Sequence, residues 1–298
     1  LDYLEKAQRA SGKPVFLVAN RQGSGADELA ISSTYQGLPV IDGVTQFLVG
    51  ARCLLAYRDF QQRAVMKCDV TDQQKVDYWK RQLQDCDYVS ESLASELLRD
   101  FGIPMIQSLE VSSLDELQTA VLNVGFPLVL KTAVQGIDHK TEVGGVILNI
   151  SDQPQLQDAY EDLLQRLGPA VTVAPMADNN GVEMILGVSR DEQFGPTVVV
   201  GFGGIYAEIL SDVAVMLPPF DSAEVKRVLK SLSMYPLLEG VRGGSPLDID
   251  SYCDVAAKMS AIALALSDSV VEIDINPVRL GVKGCIGLDA LVVQEQKN

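Results

Sequence analysis

A single histidine occurs in the 298 residues. His139 lies in "LVLKTAVQGIDHKTEVGGVILNI", residues 128 to 150, between Lys131 and Lys140 and ahead of the pair Gly144-Gly145. An imidazole is a nitrogen nucleophile that can accept a phosphoryl group. Adjacent glycines let backbone N–H groups approach an anion without intervening Cβ atoms. Lys131 ends the apolar run "FPLVLK", so a rigid strand projects a flexible point charge of the kind that suits phosphate oxygens. Each residue also has a plainer reading. A lone loop histidine commonly bonds a carbonyl, and a lysine commonly closes a strand at the solvent boundary. The spacing GxxxxGK[ST] does not occur, so this is not a Walker phosphate loop.

A second group of chemically capable residues closes the chain. In "VVEIDINPV" the alternation directs Val271, Ile273 and Ile275 to a core and Glu272, Asp274 and Asn276 to the other face. Reflection about the turn "LGVKG" sets Asn276 opposite Asp289 of "GLDALVV", with Cβ atoms about 5 Å apart. Two carboxylates and a carboxamide on one sheet face make a hard-oxygen site suited to Mg²⁺. The plainer reading is a solvated sheet face, against which stands the presence of Asp289 within so apolar a strand. "GFGGIYAE", residues 201 to 208, is a degenerate GxGxxG with Tyr206 in the last glycine's place. It reads as an anion-approaching turn with Glu208 just beyond, or as a structural glycine turn.

The elements that must carry these residues fall into two units. Residues 1 to 62 alternate helical and short apolar segments, "VFLVAN" and "GLPVIDG" being strands of a parallel sheet. Residues 63 to 87 are charged without a sustained apolar period and read as a linker, helical in its second half. From residue 88 onward, Ser90 caps a helix bearing Leu93, Leu97 and Leu98 on one face, and Gly102 stops it. "IPMIQSLEV" and "FPLVLKT" are then strands on either side of a helix capped by Ser113, giving two αβ repeats. "AVTVAPMA" and "GVEMILGVSR" read as strands joined by the turn "DNNG". The fold class is thus α/β and α+β, a partial parallel-sheet unit followed by a unit of mixed sheets and helices.

Composition narrows the functions further. Lys and Arg total 24 against 40 Asp and Glu, a formal charge of -16, which argues against a nucleic acid partner. The five cysteines are scattered and form no CxxC pair, so zinc and a disulfide framework are disfavoured and a cytoplasmic setting is expected. No apolar run reaches the roughly 18 residues of a membrane span. The first residue is Leu1, and the chain is expected to be part of a longer one.

Residues 88 to 298 resemble the ATP-grasp domain of the ADP-forming acyl-CoA synthetases, relatives of the succinyl-CoA synthetase beta subunit. The stretches that carry the resemblance are "LLRDFGIP", "GFPLVLKT", "GIDHKTEVGGVILNI", "GVEMILGVSRDEQFGPTVVVGFGGIYAEILSDVAVMLPP", "GVRGGSPLDI" and "EIDINPV" with "LDA". The resemblance implies two lobes gripping ATP or ADP, with Lys131 on the phosphates, His139 carrying phosphate, and Lys140, Gly144 and Gly145 beside them. It implies a hinge near Ala174 to Met176 that reads adenine through the backbone, with Glu183 close to the nucleotide. Glu208 and Arg242 are implied on the phosphate side, and Asp274, Asn276 and Asp289 on Mg²⁺. "TVAPMA" departs from relatives with a more polar stretch before the methionine. Residues 1 to 62 resemble the last part of a flavodoxin-like domain.

The expected activity is acid + CoA + ATP ⇌ acyl-CoA + ADP + phosphate, by way of acyl phosphate and phosphohistidine. A small carboxylic acid and coenzyme A are expected to bind mainly on upstream CoA-binding and flavodoxin-like domains, in a homo-oligomer. Two rival readings are an ATP-grasp ligase joining a carboxylate to an amine, which needs no histidine, and a nucleotide-sensing module of a protein acetyltransferase. A strand-end lysine contributes little to a fold, so Lys131→Met is expected to weaken nucleotide binding and leave the melting temperature nearly unchanged.

Overall fold

The computed structural model describes residues 2–20, 27–62, 72–137, 140–178, 180–204, 211–241 and 243–295. The chain divides into two compact units, Leu1–Val65 and Met66–Asn298. In the first, α1 (Asp2–Ser11), β1 (Leu17–Ala19), α2 (Glu28–Tyr35), β2 (Val40–Asp42) and α3 (Val44–Gln61) follow in order. Strands β1 and β2 pair in parallel, Leu17 opposite Val40, as the alternation of the sequence implies. Asp27 starts α2 by accepting from the amides of Leu29 and Ala30, two of the orphan donors of a helix start.

The second unit opens with α4 (Gln73–Asp85) and α5 (Glu91–Asp100), then β3 (Leu109–Val111), α6 (Leu114–Val124), β4 (Leu128–Thr132) and β5 (Val146–Ile150). It continues through α7 (Gln153–Arg166), β6 (Val171–Pro175), β7 (Val182–Asp191), β8 (Gly195–Phe202) and β9 (Val213–Met216). It ends with α8 (Ser222–Leu229), α9 (Tyr235–Leu238), α10 (Ile249–Ala265), β10 (Val270–Leu280), β11 (Cys285–Gly287) and β12 (Leu291–Gln294).

Among the described residues this unit contains two sheets, each with its own core. The smaller has the order β3-β6-β4-β5, all antiparallel. Leu128, Leu130, Val171 and Val173 project from it into a core completed by Leu117 of α6 and Leu156 and Leu163 of α7. The larger has the order β11-β10-β7-β8-β9, with β12 also on β10. Its core joins Met184, Leu186, Val198, Val200 and Ile273 to Val225 of α8 and Tyr252, Ala256 and Met259 of α10.

Three sequence expectations are corrected here. Val76, Trp79 and Leu83 of α4 are 2–3% exposed and belong to the larger core, so the second half of the segment read as a linker is built into the unit. Trp79 was hidden by its surroundings, because α4 is polar on every face but one. Helix α5 packs its Leu97 and Leu98 into the larger core and not beside β3, so it does not form an αβ repeat with the strand that follows it. Periodicity identifies an apolar face but not what that face will meet. Lastly, β6 and β7 are not a hairpin. They lie in different sheets.

Among the described residues, no helix is long and apolar enough to cross a membrane. Cys53, Cys86, Cys253 and Cys285 are free thiols.

Candidate functional site

Alternation along β4 sends Leu128 and Leu130 into the smaller core, so Lys131 emerges on the opposite face of that sheet. It does not end at solvent: Lys131 is only 7% exposed. Its ammonium donates to Glu91 Oε1 at 3.0 Å and to the Leu288 carbonyl at 2.8 Å, and lies 3.3 Å from Asp289 Oδ2. Lys140 completes the ring, with Nζ 2.5 Å from Glu91 Oε2 and 3.2 Å from Asp289 Oδ1. Two ammoniums and two carboxylates thus alternate where β4, the loop after it, the start of α5 and the segment between β11 and β12 converge. Burial on its own would lower the Lys140 pKa. The charges of Asp289 and Glu91 outweigh it and raise the group above the ordinary lysine value.

Glu91 was invisible as a site residue in the sequence. An acidic residue in the first turn of a helix, directly after the cap Ser90, is sufficiently explained by the helix dipole. Its place among two lysines 40 and 49 residues away is set only by the fold.

The closing strand sets Asp274 and Asn276, two of the oxygen donors expected for a metal, in register with the segment that bears Asp289. Val278 opposite Gly287 and Asp274 opposite Leu291 share one register, and Asn276 with Asp289 falls midway between them, as the reflected hairpin requires. Ile273 and Ile275 are buried, but Val271 is not. A bulge between Val270 and Glu272 gives its place in the core to Val270. Gly187 lies opposite Asp274 on β7, where a Cβ would stand 3.3 Å from Ile273 O and in ordinary contact, 3.6 Å, with Asp274 Oδ1. Burial raises the Asp274 pKa to about 6, with Glu272 and Asp289 adding to the effect and a hydrogen bond from Asn276 opposing it.

The donors match a hard divalent cation in type, and the crowding of carboxylates around Asp274 is the electrostatic condition a cation relieves. They are not a preassembled cage. Among the described residues no group of three or more His, Cys, Asp or Glu side chains is arranged to hold a metal, and Asp289 is engaged by both lysines.

The glycine pair acts otherwise than expected. The Gly144 amide donates to Thr141 O at 3.1 Å and the Gly145 amide to Lys140 O at 2.7 Å, so both are consumed in closing the turn and are not presented to an anion. A Cβ on Gly145 would stand 2.6 Å from Thr132 Cγ2 and 2.9 Å from Lys140 O. Close packing beneath the loop that holds Lys140 therefore explains the glycine. Similarly, the Gly203 amide donates to Glu183 O at 2.8 Å, and a side chain on Gly204 would collide with the Glu183 carboxylate. His139, Glu208 and Arg242 lie outside the described residues.

Ala174 pairs with Val129, and Thr172 with Lys131, so these residues share the sheet face that bears the lysine. The Met176 amide donates to Pro127 O at 2.9 Å and is already committed. The Thr172 hydroxyl is buried without a hydrogen-bond partner among the described residues. Glu183, across the sheet passage, accepts from Arg279 at 2.8 Å. The pair lies in a cleft of 490 Å³ formed with Gly240, Gly244 and Ser245. A register shift between Ile275 and Val278 puts Val278 and Leu280 into the core and turns Arg279 to the face of Asp274 and Asn276.

Two sheets meeting over lysines, carboxylates and a register-matched Asn–Asp pair fit a nucleotide-handling site, and comparison with known proteins agrees. The family described as an ATP-grasp domain matches residues 82–293. This chain belongs to the ATP-grasp family. Its ATP-grasp region is 33% identical over 213 residues to the ADP-forming acetate–CoA ligase I subunit beta of Pyrococcus furiosus, covering 68% of this chain and 90% of that subunit. It is 34% identical over 218 residues to a trans-feruloyl-CoA synthase of an unknown prokaryotic organism, covering 70% of this chain and 31% of the relative. The chain therefore spans about a third of the one relative's length and most of the other's. Among solved structures, the dinucleotide-forming acetyl-coenzyme A synthetase 1 of Ca. Korarchaeum cryptofilum, in complex with coenzyme A and Ca-AMPCP, matches with a TM-score of 0.67 and 30% identity. That match covers 73% of this chain and 98% of the other.

Proposed function

We propose that this chain supplies the ATP-grasp portion of an ADP-forming acyl-CoA synthetase and exchanges a phosphoryl group between ATP and His139. The observation that carries this reading is the convergence of Lys131 and Lys140 with Asp289 on one buried point of an ATP-grasp unit. The γ-phosphoryl group passes to an imidazole nitrogen as its bond to the β-phosphate oxygen breaks, leaving ADP. The carboxylate of the acid substrate then takes the phosphoryl group from the histidine to give an acyl phosphate, and the CoA thiol displaces phosphate to give the thioester.

In the first step Lys131 and Lys140 offset charge on the phosphoryl oxygens, held in place before the reaction by Glu91. Their burial strengthens each interaction relative to water. Asp274, Asn276 and Asp289 would hold Mg²⁺, which supplies further charge neutralisation at the phosphates. Val129, Thr172 and Ala174, on the face of Lys131, would lie along the nucleotide, and Glu183 with Arg279 would border it. Since the Met176 amide is bonded to Pro127, adenine would be read by other backbone groups of the segment Ala174–Met176.

His139 immediately precedes Lys140, whose side chain lies in the cluster. A further structure of the Korarchaeum enzyme, 29% identical to this chain, is described as having its phosphohistidine segment pointing towards the nucleotide binding site. That supports a histidine that visits the nucleotide. Acid and CoA would bind on further domains, in the cytoplasm, and in a homo-oligomer.

Incubation with γ-labelled ATP and Mg²⁺ tests the reading. An acid-labile, base-stable label that His139→Asn abolishes is expected, with no acyl-CoA from this chain alone. Label that persists in His139→Asn removes the role given to the histidine.

A further inference from the structure

We infer that Lys140 is a built-in counter-ion of Asp289 which a divalent cation must displace in order to bind. The inference rests on the reading of Asp289 as a metal ligand and adds what that reading lacks, an account of how an aspartate held by two ammoniums becomes available.

Each oxygen of Asp289 is taken. Oδ1 faces Lys140 at 3.2 Å and Oδ2 faces Lys131 at 3.3 Å. A divalent ion bonded to either oxygen at the usual 2.0–2.1 Å would stand within about 5 Å of an ammonium. Like charges that close, in a site this buried, are strongly unfavourable. One lysine has to move.

The structure distinguishes the two. Lys131 rises from the middle of the smaller sheet and is anchored by Glu91 and by the Leu288 carbonyl at 2.8 Å, neither of which a metal would claim. Its side chain is 9% exposed. Lys140 stands on a loop, its side chain is 15% exposed, and its hydrogen bonds go to the two carboxylates Glu91 and Asp289. On losing Asp289 it keeps Glu91 at 2.5 Å. The ammonium can therefore swing from the aspartate without leaving its remaining partner, which places a cation beside the phosphates at the moment the metal arrives. Glu91 is the positioning residue of this exchange, since it retains both lysines throughout.

The exchange predicts opposite signs for two substitutions. Lys140→Met removes the competitor, so Mg²⁺ alone, titrated calorimetrically without nucleotide, should bind at least fivefold more tightly than to the unaltered chain. Glu91→Gln removes the carboxylate that the two ammoniums share and leaves Asp289 as the carboxylate facing both, so Mg²⁺ should bind more weakly. Lys140→Arg retains the charge and should stay within twofold of the unaltered chain. Should Lys140→Met fold poorly, Lys140→Gln serves in its place.

Displacement is also read directly by acetylation of Lys140 with acetic anhydride, followed by peptide mass spectrometry, and its rate should rise several-fold on adding Mg²⁺. The inference is overturned if Mg²⁺ affinity is unchanged or weaker in Lys140→Met, if Lys140→Arg tightens binding as much, or if the acetylation rate ignores Mg²⁺. Absence of Mg²⁺ binding in every protein would overturn it together with the metal-site reading, whereas binding that is indifferent to Lys140 overturns the exchange alone.

Discussion

Lys131 Nζ lies 3.0 Å from Glu91 Oε1, with both side chains less than a tenth exposed. An ion pair so placed is sensitive to the loss of either partner, because the survivor is left charged in a poorly solvated site. The expectation that Lys131→Met would be thermally silent is reversed by this burial. Lys140 remains to neutralise part of the excess negative charge, so the cost should be about 2 kcal/mol, below the roughly 3–5 kcal/mol of an isolated buried pair. Glu91→Gln should cost a similar amount, and the double variant less than the sum of the two. Urea denaturation of the four proteins measures the coupling. Additive losses would mean that the contact contributes nothing specific.

Helix α4 yields a second prediction. Val76, Trp79 and Leu83 are buried in the larger core, and the Trp79 indole donates to Asp100 Oδ2 at 2.8 Å. Each of these side chains contributes roughly 1.5–3 kcal/mol on burial. A chain of residues 88–298, cut where the sequence places the start of the domain, should therefore be far less stable than one of residues 66–298. The comparison is made by chemical denaturation, and equal midpoints would return α4 to the status of a linker.

What the sequence made legible was mostly local. The alternation in "VVEIDINPV" fixed the register that sets Asn276 against Asp289, because a two-residue period and a short turn leave little choice of pairing. The bulge that replaces Val271 by Val270 was not legible, since neighbouring valines satisfy the pattern equally well. The strand bearing Lys131 was evident, but its burial was not. That depends on Glu91 and Leu288, which lie 40 and 157 residues away. In the sequence the glycines at 144 and 145 read as an anion site, but their amides close a turn and Gly145 packs against Thr132, contacts that a glycine pair in a sequence does not reveal.

The proton affinity of Asp274 gives a third prediction. Its pKa of about 6 lies above the value of about 3.9 expected when unfolded, so the folded protein favours the neutral acid. The charged form therefore costs stability, fully at pH values above the folded pKa and not at all below the unfolded one. The shift corresponds to an upper bound of about 3 kcal/mol. Asp274→Asn should then melt higher than the unaltered chain at pH 8 in the presence of a chelator. The advantage should shrink as the pH falls through about 6. An advantage independent of pH would point to packing and not to charge.

The last prediction separates the two roles of Asp289. As a metal ligand it should support Mg²⁺-dependent ATP binding. As an anion facing the triphosphate it should oppose binding without metal, since it also neutralises Lys131 and Lys140. Asp289→Asn keeps the shape and removes the charge, so it should act in both directions. ATP affinity in chelator should rise a few-fold, because two ammoniums are freed, and the gain on adding Mg²⁺ should fall by about tenfold or more, roughly the 1.4 kcal/mol or greater loss expected for a ligand. Glu272 is exposed and pairs with Ser189 and Val293, two residues along the strand from Asp274. Glu272→Gln should therefore stay within about twofold of the unaltered chain in both conditions, as surface charges commonly do. Isothermal titration of ATP with and without Mg²⁺ gives all six affinities. Weaker binding of Asp289→Asn in chelator would show that the aspartate organises the lysines for phosphate and does not merely mask them. A Mg²⁺ gain lost in Glu272→Gln and retained in Asp289→Asn would move the metal one step along the strand, away from the lysines.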